Sequence, residues 1–174
     1  MPACLTQRGC DMAYGARPVS GRSALKGWGA LHRRALAECA VRGTELTPLR
    51  EAVLAELWEA GSPLGAYELS ARISDRKRQR IAPNSVYRIL DLLQSIALVR
   101  RVESMHAYYL VEAESGSTDI LLMCNDCGGV TAIGTGDIRT AIASRSEAAG
   151  FHPVSQVVEV AGRCHDCDAK VTHG

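Results

Sequence analysis

From Leu31 onward the apolar positions recur with a helical period. Leu31, Ala35 and Cys39 step by four, Leu36 and Ala40 lie beside them, and Gly43 marks a stop after Arg42. A second helix is predicted from Thr47, an N-capping residue type, and Pro48, whose missing N–H costs nothing in a first helical turn. Leu49, Val53, Leu54 and Leu57 give that helix an apolar face, and Gly61 ends it. A short helix over about 66–73 follows, and then a basic loop, Asp75-Arg76-Lys77-Arg78-Gln79-Arg80. Pro83 and Asn84 open a third strong helix, in which Val86, Ile89, Leu90 and Leu93 form the inward stripe. Asn84, Ser85, Tyr87, Arg88 and Asp91 are left on its outer side. Leu98–Glu103 then reads as a strand, Ser104–Ala107 as a turn, and Tyr108–Val111 as the returning strand. Helices followed by such a hairpin describe a winged helix.

The polar run 112–118 (EAESGST) reads as a hinge. Beyond it the pattern predicts strands at Ile120–Met123 and Val130–Ile133, a helix from Asp137 to Ala149 closed by Gly150, and a last strand over Val154–Ala161. The expected fold is α+β. It comprises a glycine-punctuated, weakly ordered leader over 1–29, a winged-helix domain over 30–111, the hinge, a small α/β domain over 119–168 and a tail over 169–174.

Charge changes this picture only when the chain is divided. Residues 1–102 carry sixteen Lys/Arg against nine Asp/Glu, a net of +7, and residues 103–174 carry four against ten, a net of −6. A basic half joined to an acidic one suggests that the first half faces nucleic acid. No apolar run reaches the roughly 18 residues of a membrane span. Arg8, Asp11 and Arg17 interrupt anything that would resemble a signal peptide. The expected location is therefore the cytoplasm, where disulfides are rare and the seven cysteines call for another explanation.

Four of them supply it. Cys124-Asn-Asp-Cys127 and Cys164-His-Asp-Cys167 are paired C-x-x-C motifs, each following a predicted strand, with 36 residues between them. Each pair forms half of a tetrahedral thiolate site, and two pairs give a closed Cys4 zinc shell with no open position for catalysis. A redox dithiol is the competing reading, but such a pair normally opens a helix, and the first pair here sits between strands. Cys39 lies on an apolar helical face and reads as core. Cys4 and Cys10 fall in the leader. No nucleophilic triad, open metal site or phosphate loop points to an enzyme.

In helix-turn-helix proteins the N-terminal residues of the second helix meet base edges in the major groove. Here those are Asn84, Ser85, Tyr87 and Arg88. Arg88 suits guanine or a phosphate, and Tyr87 a thymine methyl or a phosphate. Arg76, Lys77, Arg78 and Arg80 are expected to add salt-sensitive backbone affinity.

Taken in order and with their separations, LTPLREAVLAEL (46–57), SPLGAYELSARI (62–73), APNSVYRILDLL (82–93), ALVRRVES (97–104), LLMCNDCGGV (121–130) and VVEVAGRCHDC (157–167) resemble the ferric uptake regulator family, most closely its zinc uptake regulator branch. The resemblance spans about residues 31–168. It implies a homodimeric transcription regulator, read here as a repressor, acting on a palindromic double-stranded operator. It also implies that the second domain dimerises and that one structural Zn2+ sits on Cys124, Cys127, Cys164 and Cys167. By position, Tyr67, Tyr87 and Arg88 would touch DNA, beside Arg80, Asn84 and Ser85.

The chain departs from the family at the second, reversible metal site. Arg100 stands where the zinc regulators have a wing His, and Val111 stands where they often have Cys. Ser117-Thr118-Asp119 replaces a His-rich segment, and Arg139 and Gln156 fall near further Glu and His ligands. A guanidinium cannot bind a cation, so the sensory site is expected to be lost, with the Arg100 charge standing in for the ion. Two alternatives remain at this point. One is a zinc-responsive repressor with ligands relocated to His106, Asp119 and His152. The other is a zinc-stabilised interaction module without DNA binding.

Overall fold

The computed structural model describes residues 27–111, 119–134, 137–154 and 156–172. The hinge over 112–118 and nearly all of the leader, with Cys4 and Cys10, lie outside the described residues. Helix α1 spans Trp28–Val41, so it starts before the predicted Leu31 and takes Gly29 into its first turn. It buries Leu31, Ala35 and Cys39. Helix α2 spans Pro48–Ala60 and closes on Gly61, whose φ of 59° is the left-handed conformation that glycine enters without strain. Thr47 forms no side-chain cap, contrary to expectation, and Pro48 alone supplies the start signal.

A two-residue strand β1, Leu64–Gly65, precedes helix α3, Ala66–Lys77. Two residues are too short to show a period, so β1 was not expected. Helix α3 also runs past Ile73 and absorbs Ser74, Asp75, Arg76 and Lys77. The reason is tertiary. Arg76 Nε lies 2.9 Å from the carboxylate of Glu56, a nearly buried residue of α2, and Arg76 Nη2 lies 2.6 Å from Glu59. A buried carboxylate demands a cation, and extending α3 delivers one. Arg78, with φ 50°, then ends the helix in the left-handed region. The first half of the basic run, Asp75–Lys77, is therefore helix, and Arg76 is tied to the protein rather than open to a partner.

Helix α4, Pro83–Ser95, buries Val86, Ile89, Leu90 and Leu93 as its period requires. Two serines fix how it is entered: Ser70 Oγ donates to the Ile81 carbonyl at 2.6 Å, and Ile81 N–H donates to Ser74 Oγ at 2.9 Å. Two arginines, Arg34 of α1 and Arg42 just after it, hold its far end. Arg42 donates to the Ser95 carbonyl at 2.7 Å, and Arg34 to the carbonyls of Ala97 and Val111, each at 2.8 Å. Cations placed there complement the negative end of the helix dipole. Strands β2 (Val99–Val102) and β3 (Ala107–Leu110) form the wing, and β1 pairs with β3 to give the antiparallel order β1-β3-β2.

The second half contains β4 (Asp119–Cys124), β5 (Val130–Gly134), α5 (Ile138–Ala148), β6 (Glu159–Gly162) and α6 (His165–Thr172). The sheet order is β5-β4-β6, with β5 antiparallel and β6 parallel to β4. Strand β6 begins at Glu159, not at the predicted Val154, because it pairs only along Leu121–Cys124 of β4. Phe151 and Val154 stay exposed. Helix α6 occupies 165–172, where a tail was expected to begin at 169. No helix among the described residues is long and apolar enough to cross a membrane.

Leu54, Leu69 and Leu90 are wholly buried in the core that unites α1–α4 with the wing. Leu90→Ala is expected to lower unfolding stability by about 2–5 kcal/mol, the usual cost of a large-to-small change at a closed site, as a reduced urea midpoint at unchanged slope.

Candidate metal centre and nucleic-acid interface

Strand pairing brings the four cysteines together. In the parallel pair β4·β6, Cys124 lies opposite Gly162, so the chain leaves both strands at the same edge of the sheet. Cys127 and Cys164 follow within a few residues. Backbone bonds hold the two loops: Cys124 N–H to the Gly129 carbonyl at 2.9 Å and Asn125 N–H to the Gly162 carbonyl at 2.8 Å. Gly128, with φ 68°, takes the left-handed conformation that the tight turn requires.

The sulfur atoms of Cys124, Cys127, Cys164 and Cys167 all lie within 4.8 Å of one another, and Cys127 Sγ is 3.9 Å from Cys164 Sγ. A tetrahedral zinc with Zn–S bonds of ~2.3 Å would hold its sulfurs about 3.8 Å apart, so the donor set fits the ion. The electrostatics agree. Backbone N–H groups of Cys127 and Cys164, the latter 3.3 Å from Cys124 Sγ, pull the Cys124 thiol down to about 6. The Cys164 sulfur, burial and the sulfurs of Cys124 and Cys127 push Cys167 up to about 12. One thiolate is favoured and the next opposed, as expected where anionic donors crowd together.

The second pair does open a helix, with Cys164 just ahead of α6 and its carbonyl accepting from Cys167 N–H at 3.1 Å. A lone pair so placed would suit redox chemistry, but its convergence with the first pair makes one four-sulfur set. Sequence reasoning missed Arg163, which bridges the loops through Asp126 (2.6 Å) and Asp168 (3.7 Å). Its signal was its place directly before Cys164.

Cys39 is buried in the core, and desolvation raises its thiol pKa. Among the described residues, the cysteine tetrad is the only group of three or more His, Cys, Asp or Glu side chains close enough to share an ion. His106 sits at φ 49° in the wing turn with Nδ1 3.2 Å from Arg101 Nη2. His152 is exposed beyond α5, and the side chain of Asp119 lies outside the described residues. Arg100 lies in β2 opposite Tyr109.

A second surface gathers at the start of α4. Asn84, Ser85, Tyr87 and Arg88 are exposed there, as is Arg80 before the helix. The Tyr87 ring meets Tyr67 of α3 edge-on at 6.2 Å. The side chains of Arg80 and Arg88 make no hydrogen bond or ion pair among the described residues. Two uncommitted guanidinium groups, a tyrosine pair and a helix N-terminus on one face suit an anionic polymer.

The sequence model of the ferric uptake regulator family matches residues 41–161. The chain is 32% identical to the zinc uptake regulation protein of Escherichia coli (strain K12) over 134 residues, 74% of this chain and 76% of that one. It is 27% identical to the zinc uptake regulation protein of Mycobacterium tuberculosis (strain ATCC 25618 / H37Rv) over 92 residues, 53% of this chain and 71% of that one. Its fold is similar to a solved zinc uptake regulator complexed with zinc and DNA, with TM-score 0.72 and 28% identity over 82% of this chain and 97% of that one. It is also similar to holo XcZur, with TM-score 0.67 and 34% identity over 79% and 96%. The chain therefore belongs to the ferric uptake regulator family, whose members are DNA-binding transcription regulators rather than enzymes, and it lies close to the family's zinc uptake regulators.

Proposed function

We propose that the protein is a homodimeric, cytoplasmic repressor that reads a palindromic operator with Tyr67, Arg80, Asn84, Ser85, Tyr87 and Arg88, holds one structural zinc per chain on Cys124, Cys127, Cys164 and Cys167, and binds DNA without a second, reversible metal. The observation that carries it is the exposed start of α4 and the segment before it, where Arg88 and Arg80 have unpaired side chains among the described residues while neighbouring Arg76 is bound to Glu56 and Glu59. The resemblance in fold to a regulator complexed with zinc and DNA supports it. Dimerisation is supported by the exposed Ile138, Phe151, Val157 and Val160 of the second half and by α5, which buries no residue within the single chain. The alternative with a relocated sensory site at His106, Asp119 and His152 would need a second zinc, and an interaction module would ignore DNA.

One experiment separates the three: binding of the purified dimer to a duplex from its own upstream region, with and without chelator, beside metal analysis. The expected result is chelator-resistant binding with one zinc per chain. A second, exchangeable zinc that binding requires would favour relocated ligands, and no DNA binding at all would favour the module. Arg88→Ala is expected to weaken binding by about 1–3 kcal/mol and to reduce the salt slope by about one. Arg76→Ala should instead lower stability and leave the slope unchanged.

Two further substitutions address the metals. Replacing one knuckle, with Cys124→Ala and Cys127→Ala together, should abolish zinc retention through dialysis while α1–α4 keep their helical circular dichroism. Arg100→His should make DNA binding respond to added zinc if the Arg100 charge stands in for the family's second ion. Zinc-indifferent binding by that variant would remove Arg100 from the account.

A further inference from the structure

Backbone N–H groups in a hairpin turn must find acceptors. In the wing turn, His106 N–H donates to the Glu103 carbonyl at 3.3 Å. The N–H groups of Glu103 and Ser104 are satisfied from outside the wing. They donate to the two carboxylate oxygens of Glu159, at the start of β6, at 2.6 and 3.0 Å. Two successive amides gripping one carboxylate make a small anion nest with charge-assisted bonds. Burial works against the Glu159 charge, yet the Ser104 and Glu103 bonds outweigh it and hold its pKa below the ordinary value.

The contact continues beneath the nest. Ser104 Oγ reaches Met123 Sδ at 3.4 Å, and Val102, fully buried, packs with Leu121 and Met123 of β4. The wing is thus fastened to the second sheet by a polar grip and a small apolar cluster, and neither uses a metal ligand. The grip addresses two backbone amides, with the Ser104 side chain adding to it, and movement of the wing or loss of the Glu159 carboxylate breaks it.

We infer that Glu159 is a positioning residue: by holding the wing turn it fixes the winged helix against the dimerisation domain, and so sets the spacing of the two α4 helices in the dimer. The inference rests on the reading of the protein as a dimeric DNA-binding regulator. Because dimers match half-site separation to their own geometry, the residue would govern spacing specificity more than affinity for a single half-site.

The test uses the full chain as wild type, Glu159→Ala, Glu159→Gln, and Glu147→Gln as an exposed control. Amide exchange is measured across the wing. Affinity is measured for a duplex selected by the wild type from a randomised pool and for the same duplex lengthened by a single central base pair. In Glu159→Ala the Glu103 and Ser104 amides should exchange about tenfold faster or more, and discrimination between the duplexes should shrink toward none. Zinc content and exchange in α2–α4 should be unchanged. Glu159→Gln, which keeps one good acceptor, should fall between, and it decides the matter if the alanine variant does not fold. Glu147→Gln should match the wild type. Wing amides equally protected without the carboxylate would overturn the inference, as would freed amides with spacing discrimination intact. If the wild type selects no duplex, the regulator reading falls and this role falls with it, whereas the other two outcomes leave that reading standing.

Discussion

The second half of the molecule depends on one parallel strand pair. Strands β4 and β6 run side by side, so both chain exits, and with them both cysteine pairs, come to one edge. A parallel pair cannot be joined by a tight turn. Here β5 and α5 fill the connection, and neither adds much core, since α5 buries nothing within the single chain. Around this sheet, among the described residues, only Val102, Leu121 and Met123 form a buried cluster. So small an apolar nucleus cannot offset the entropy of ordering the segment. The four converging cysteine sulfurs offer a site for an ion, and the exposed apolar residues a face for a partner, through which stability beyond burial would come.

The winged helix is built on the opposite principle. Its core runs continuously through α1–α4 and the wing, and the exposed face of α4 is the remainder that this core does not use. The basic charge of this half therefore has two separate purposes. Arg34, Arg42 and Arg76 neutralise carbonyl or carboxylate groups inside the fold. Arg80 and Arg88 make no such bond among the described residues and carry their charge at the surface. Net charge alone overstates the surface available to DNA, because an arginine already bound to a carboxylate offers little to a phosphate.

Between the two halves the wing is the shared element. Its strands belong to the first sheet, and its turn and Val102 rest on the second. A wing held in this way ties the second sheet to the hairpin against which α4 packs. Arg34 adds to the joint by binding the carbonyls of Ala97, after α4, and Val111, after β3.

The sequence by itself determined whatever depends on local period or fixed spacing. The apolar stripes of α2 and α4, the wing hairpin, the glycine stop at Gly61 and the two C-x-x-C pairs were all legible, because each is written within a few residues. The exposed face of α4 was legible for the same reason. Tertiary structure decided the rest. It lengthened α3 to bring Arg76 to Glu56, shortened β6 to the edge that β4 offers, and created β1 only because β3 lay beside it. It also joined Glu159 to the wing turn across 55 residues of chain. Those contacts are made between groups distant in sequence, so no local pattern records them.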